Sequence, residues 1–302
     1  MARTPNRKSS RKSSWYGEGT LRMDARPQLA LDRREPLVRV QHLSKQYVQR
    51  RPLTRAKFTV QALDDANLTI WRGTTLALIG ESGSGKSTLA RCLALLEKPS
   101  GGAIWFAGEN LLELNAKDHS KFHRRIQLIF QDPTSALNPR LSAAEIVAEP
   151  LAIQREGTKI SRRRRALELM EQVGLPARWE HKRPLEFSGG QRQRLAIARA
   201  LALEPQLLIL DEALSSLDLA NQEMLLELLA DLQAAHSLTY LHISHDLRLV
   251  SQCADEVAVM NERKIVEQKS AAELFANPEH PYTRELLAAM PSLESICLER
   301  SA

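Results

Sequence analysis

Residues Thr74 to Lys98 read TTLALIGESGSGKSTLARCLALLEK. The opening TTLALI is almost continuously apolar, the pattern of a strand covered on both faces, and it ends at Gly80. From Lys86 onward the apolar residues recur with helical spacing. Between them lies GESGSGKS, Gly80 to Ser87, which matches G-x-x-x-x-G-K-[ST]. Phosphate oxygens need several donors converging on a small volume. Gly80, Gly83 and Gly85 let the backbone curl so that its N–H groups point inward, and the start of a helix adds positive potential. Lys86 is placed to reach the β- and γ-phosphates of a nucleoside triphosphate, and the Ser87 hydroxyl to ligate Mg²⁺. Glu81, Ser82, Ser84 and Thr88 complete the nucleotide-facing positions of the loop.

Other short apolar runs follow: Ile126 to Phe130, Leu207 to Leu210, Thr239 to Ser244 and Glu256 to Met260, with helical patterns between several of them. They predict an α/β domain with a mostly parallel sheet, preceded by β-rich runs at Leu37 to Val40 and Asn67 to Trp71. Between Asp132 and Pro184 only helical patterns occur, with Ser161 as an N-cap, apolar Leu167, Met170 and Val173, and Gly174 as a stop. This predicts a helical subdomain of about 133–204 inserted into the sheet domain. Arg162 to Arg165 within it read as a solvated first turn rather than a nucleic-acid patch.

LLILDE, Leu207 to Glu212, delivers two carboxylates at the carboxyl end of a strand, where ligands bind in open α/β sheets. Alone, such a pair is an ordinary strand end meeting solvent. Beside a phosphate loop, Asp211 fits a Mg²⁺ ligand and Glu212 a group that polarises an attacking water. FSGGQRQR, Phe187 to Arg194, adds a second cradle in which Ser188, Gly189 and Gly190 open a helix toward phosphate bound elsewhere.

With that element the chain resembles the ABC ATPases, whose signature usually reads LSGGQ. The resemblance implies a P-loop NTPase core with an antiparallel β subdomain and an inserted helical subdomain, over roughly residues 37–276. It also implies ATP and Mg²⁺ as cofactors and one role for each matching residue. Gln131 in FQDP is similar to the glutamine that touches Mg²⁺ and the attacking water, His245 in ISHD to the γ-phosphate switch histidine, and Asp218 in SSLD to the loop residue after the carboxylates. Tyr47 in LSKQY is similar to the aromatic that stacks on adenine, although a strand tyrosine packed in the core reads equally well. Gln191 closes the signature itself. The chain has DEALSSLD where the family often has DEPTSALD, with Ala213 and Leu214 at positions that carry no chemistry.

Two further stretches, FQDPTSALNPR from Phe130 and NPEHPYTRELLAAMP from Asn277, resemble the oligopeptide, dipeptide and nickel importer branch, as does the basic stretch Val48 to Leu63. That branch implies a C-terminal extension over 277–302. It also implies a second ATPase subunit, identical or paralogous, two permease subunits, an extracytoplasmic solute-binding protein, and a place on the cytoplasmic face of the membrane. The competing readings are a soluble ABC ATPase acting on nucleic acid or ribosomes, and a subunit that binds ATP without turning it over.

Bulk properties agree with a cytosolic, peripheral protein. No stretch approaches the roughly 18 apolar residues of a membrane span. The three cysteines, Cys92, Cys253 and Cys297, are widely spaced and form no C-x-x-C pair, so neither a disulfide framework nor a zinc site is expected. Members of the branch the chain resembles often carry a cysteine cluster near the C-terminus that holds an iron–sulfur centre, and with only Cys297 there none is expected. The net charge of +6 is concentrated in residues 1–36, which hold nine Lys or Arg against four Asp or Glu. That segment reads as a disordered basic arm without the apolar core of a secretory signal, and it leaves the remaining domain with no footprint for nucleic acid.

Overall fold

The computed structural model describes residues 35–50, 57–132 and 136–289. The expected basic arm up to residue 34 and the extension beyond residue 289, Cys297 included, lie outside the described residues.

The described chain opens with a long antiparallel strand pair, β1 (Pro36–Arg50) and β2 (Lys57–Trp71), matched from Pro36 opposite Trp71 to Arg50 opposite Lys57 with register shifts between Pro36 and Gln46. The two short runs expected at Leu37 and Asn67 are thus the two ends of one ribbon. β3 (Thr75–Ile79), α1 (Lys86–Leu93), β4 (Gly101–Phe106), β5 (Glu109–Asn110), α2 (Ala116–Arg125) and β6 (Ile126–Ile129) follow. Three helices then come in succession: α3 (Ala143–Ile153), α4 (Lys159–Gln172) and α5 (Gly189–Leu201). The sheet resumes with β7 (Leu207–Asp211), α6 (Leu219–His236), β8 (Thr239–Ile243), α7 (Leu247–Cys253), β9 (Glu256–Asn261) and β10 (Lys264–Ser270), and the described chain closes with α8 (Ala271–Ala276) and α9 (Pro281–Ala288).

Two sheets result. One is antiparallel, in the order β2-β1-β4-β5; the other runs β10-β9-β3-β8-β7-β6, parallel except for β10 at its edge. Side chains alternate across a strand, so each strand of the second sheet faces two cores. Leu76, Leu78, Leu207, Ile209, Leu241 and Ile243 meet α1 and the antiparallel sheet. On the opposite face, Leu208, Leu210 and Tyr240 pack under helices α3 to α6, while Ala77, Ile79, Val257 and Val259 pack under α7 and α8. Cover on both faces explains why these strands read as unbroken apolar runs.

The helical segment corrects one detail of the sequence reading. Thr158, not Ser161, is the N-cap of α4; Ser161 sits three residues on and completes a reciprocal capping box. Gly174 does end the helix, with φ +75°, and a Cβ there would lie 2.9 Å from Arg194 Nη1. In the arginine run Arg163 and Arg164 are exposed, as expected of a solvated turn, while Arg162, Arg163 and Arg165 also make contacts within the fold. Arg163 makes a two-pronged bond to Glu180 at 2.8 and 2.6 Å, Arg165 reaches Glu204 at 3.1 Å, and Arg162 donates to the Glu156 carbonyl at 2.8 Å.

Candidate functional site

Four adjacent parallel strands end on the same edge, and each carries a predicted site residue at or just past its carboxyl end. β3 leads into Gly80, β6 into Gln131, β7 ends at Asp211 beside Glu212, and β8 leads through Ser244 to His245. This is the crevice position expected for ligands of open α/β sheets.

The loop after β3 has a shape that only glycine permits. Gly80 and Gly85 have φ +145° and +114°, and a Cβ on either would fall 2.1 Å from the Met260 carbonyl oxygen or 2.6 Å from that of Ala62. The backbone therefore winds tightly against β9 and β2, and α1 begins with first-turn N–H groups that no helical carbonyl can satisfy. Lys86 is buried, and its Nζ donates to the Gly80 and Glu81 carbonyls at 2.7 Å each. Burial pushes the Lys86 ammonium below its usual range, and the charges of Glu212, Asp211 and Glu81 partly restore it. The Glu81 N–H donates at 3.0 Å to the Tyr282 hydroxyl, a contact across 201 residues of sequence that no motif announces.

Beside the loop, the Ser87 hydroxyl donates to Asp211 Oδ1 at 3.1 Å. Asp211 is 6% exposed; burial raises its carboxyl, the Ser87 hydrogen bond opposes that, and neighbouring Glu212 pushes it up again. A hydroxyl and a desolvated carboxylate side by side are hard oxygen donors of the kind that Mg²⁺ takes together with substrate phosphates, so the residues fit the metal.

Glu212 has φ +50°, a left-handed conformation unusual for a residue with a side chain. Its N–H donates to the Ile243 carbonyl at 3.0 Å, and its own carbonyl accepts the Ser215 hydroxyl at 2.8 Å. Those bonds hold a turn that costs about 1–3 kcal/mol elsewhere. The carboxylate takes a hydrogen bond from Gln131 Nε2 at 2.8 Å and lies 3.8 Å from His245 Nδ1. Three side chains that follow three different strands thus meet in one polar cluster.

The second glycine turn belongs to a different group. Ser188 caps α5 by accepting the Gln191 N–H, while Gln191 Oε1 accepts the Ser188 N–H at 3.1 Å. Ser188 and Gly189 are exposed, and a Cβ on Gly190 would come within 3.3 Å of Asn221 Oδ1. Asn221 in turn donates to Asp218, the N-cap of α6, at 2.9 and 2.7 Å. Phe187, where the family usually has Leu, is buried edge-on against Trp179 at 5.9 Å, with Lys182 over both rings. Ala213 and Leu214 are buried in the core under the helices. Tyr47 stands on β1, half-buried, with its hydroxyl donating to Glu97 and the Lys45 ammonium 4.8 Å from its ring centre. Burial, then the bond to Glu97, raises its phenol.

The family model described as ABC transporter matches residues 63–215, from the middle of β2 to just past Asp211 and Glu212. The chain belongs to the ABC transporter family. It is an ATP-binding and ATP-hydrolysing component of that family, with the family's α/β cassette fold. A second model, described as the C-terminal region of oligopeptide/dipeptide transporters, matches residues 266–297. Among curated ABC relatives, a dipeptide transport ATP-binding protein of Haemophilus influenzae is 42% identical over 85% of this chain and 79% of its own length. An oligopeptide transport ATP-binding protein of Bacillus subtilis is 44% identical over 85% and 83%. Among solved structures, a dimeric ATP-binding cassette in a post-hydrolysis state with ADP and Pi aligns at TM-score 0.69 and 29% identity, covering 78% of this chain and 98% of that one. An ABC transporter component of Clostridium perfringens aligns at TM-score 0.70 and 28% identity over 87% and 99%.

Proposed function

We propose that this chain is the ATP-hydrolysing subunit of a peptide importer and that it works as one of a pair of cassettes. The observation that carries the proposal is the convergence of Lys86, Ser87, Asp211, Gln131, Glu212 and His245 at the ends of four neighbouring strands. The importer branch and its peptide cargo are supported by the match of the C-terminal region and by the names of the relatives. Those names also favour transport over a soluble role on nucleic acid or ribosomes.

In this reading the N–H groups of Gly80 to Thr88, curled by Gly80, Gly83 and Gly85, hold the phosphates of ATP, and Lys86 leaves its two carbonyls to meet the β- and γ-phosphates. Ser87, Asp211 and Gln131 would hold Mg²⁺, which would supply neutralisation of phosphate charge. Glu212 accepts a proton from the attacking water, Gln131 fixes the carboxylate that does so, and His245, beside Glu212, contacts the γ-phosphate. Tyr47 carries the adenine. Ser188, Gly189, Gly190 and Gln191 of a second cassette, identical or paralogous, close over the γ-phosphate, with Asp218 bracing their turn through Asn221.

Pairing on ATP and release after hydrolysis would drive two permease subunits fed by an extracytoplasmic solute-binding protein. In this reading the subunit sits on the cytoplasmic face of the membrane against those permeases; no helix among the described residues is long and apolar enough to cross a membrane. The test is reconstitution of the chain with its companion subunits in vesicles. Peptide supplied with the binding protein should stimulate ATP hydrolysis and accumulate inside. Hydrolysis indifferent to every peptide in a random library would contradict the proposal.

A further inference from the structure

The first peptide unit of the phosphate loop, Gly80 to Glu81, is gripped at both ends. Its carbonyl accepts Lys86 Nζ at 2.7 Å, and its N–H donates to the Tyr282 hydroxyl at 3.0 Å. Gly80 has no Cβ to hinder rotation, so these two contacts hold the orientation of a peptide with little stiffness of its own. The Lys86 contact is not available throughout the cycle, because the same ammonium must turn to the phosphates. The Tyr282 contact does not use that ammonium.

Tyr282 has a fixed position from which to act. Its ring packs with Phe275, Leu286 and Leu287 on the core formed by Ile79, Val257 and Val259. Its N–H donates to Nδ1 of His280, the N-cap of α9, at 3.2 Å. The N–H groups of Glu279 and His280 donate to Glu267 of β10 at 2.9 and 3.0 Å, and Lys269 on the same strand bonds Glu279 at 2.7 Å. Glu267 is 8% exposed, so this anchor is shielded from water. The segment NPEHPYT is therefore a bracket: one end is fastened to the sheet edge, and the other presents a hydroxyl to the loop.

We propose that Tyr282 is a positioning residue for ATP, holding the Gly80–Glu81 peptide from the C-terminal extension so that the loop keeps its shape when Lys86 moves onto phosphate. This rests on Gly80 to Ser87 being the ATP cradle. Tyr282→Phe removes the acceptor and keeps the ring, so the fold is undisturbed. In the full chain assembled with its companion subunits, loss of one such hydrogen bond should raise the KM for ATP about 3- to 10-fold and leave kcat within about twofold. The melting temperature without nucleotide should stay at the wild-type value. Glu267→Gln, which weakens the anchor, should raise KM in the same direction and add little in the Tyr282→Phe background. An unchanged KM in Tyr282→Phe, or fully additive effects of the two substitutions, would overturn the inference while leaving the cradle intact. Absence of ATP binding by the wild-type assembly would instead remove the cradle and this inference with it.

Discussion

His242 lies mid-strand in β8, between Ala77 of β3 and Leu210 of β7, and is 2% exposed. Its Nδ1 is 3.4 Å from Cys253 Sγ, a weak partner that does little to stabilise an imidazolium. Burial pushes the histidine from 6.5 down to about 4. The folded protein therefore keeps His242 neutral while the unfolded chain protonates it, so its contribution to stability is full above pH 6.5 and is lost as pH falls from 6.5 toward 4. Integrated over that window the loss approaches about 3 kcal/mol, of which about 2 kcal/mol has accrued by about pH 5. The assay is urea unfolding of wild type and His242→Gln at about pH 7.5 and about pH 5, comparing the differences so that other titrating groups cancel. Wild type should lose roughly 2 kcal/mol more than the variant between the two conditions. Equal losses would refute the reasoning, because they would mean that the ring is protonated, or reached by water, inside the fold.

Gly80→Ala drives a methyl to 2.1 Å from the Met260 carbonyl oxygen at φ +145°, and should cost roughly 3 kcal/mol in thermal or chemical denaturation along with measurable loss of ATP affinity. Lys86→Ala leaves the Gly80 and Glu81 carbonyls without their ammonium donor, so it should lower the melting temperature modestly and abolish the stabilisation that ATP gives wild type. Cys92 is fully buried and its thiol is pushed up to about 11, so native protein at neutral pH should resist alkylation there, by peptide mass mapping, until denaturant is added.

The parallel sheet and its motifs were legible because burial on both faces writes long apolar runs, and because phosphate chemistry demands glycine, lysine and serine at fixed spacing. Strands β4, GGAIWF, and β10, KIVEQKS, escaped the sequence reading for the converse reason. The first alternates exposed and buried residues over a few positions, and the second is a polar edge strand with only Glu267 buried. Ser161 carried the right residue type for a cap, but Thr158 carried it three residues earlier, and a capping box uses both. The members of the cluster around Glu212 were readable one residue at a time. That Gln131 touches Glu212, rather than only standing near it, depends on the neighbouring ends of β6 and β7, which no local pattern encodes. Tyr282 was missed for the same reason: in sequence it is one residue of NPEHPYTRELLAAMP with no partner in view, and only the fold brings its hydroxyl to Glu81.

Glu212→Gln keeps the size of the side chain and its place beside Gln131 and His245 while removing its capacity to take a proton. Mixed with its companion cassette, ATP and Mg²⁺, this variant should elute as a nucleotide-dependent pair on light-scattering chromatography, with ATP trapped unhydrolysed between the two Gly80 to Ser87 loops and the facing Ser188 to Gly190 turns. Wild-type turnover by the variant, or no pairing in the presence of ATP, would contradict the assignment of this chain as half of an ATP-clamped, Glu212-dependent hydrolase.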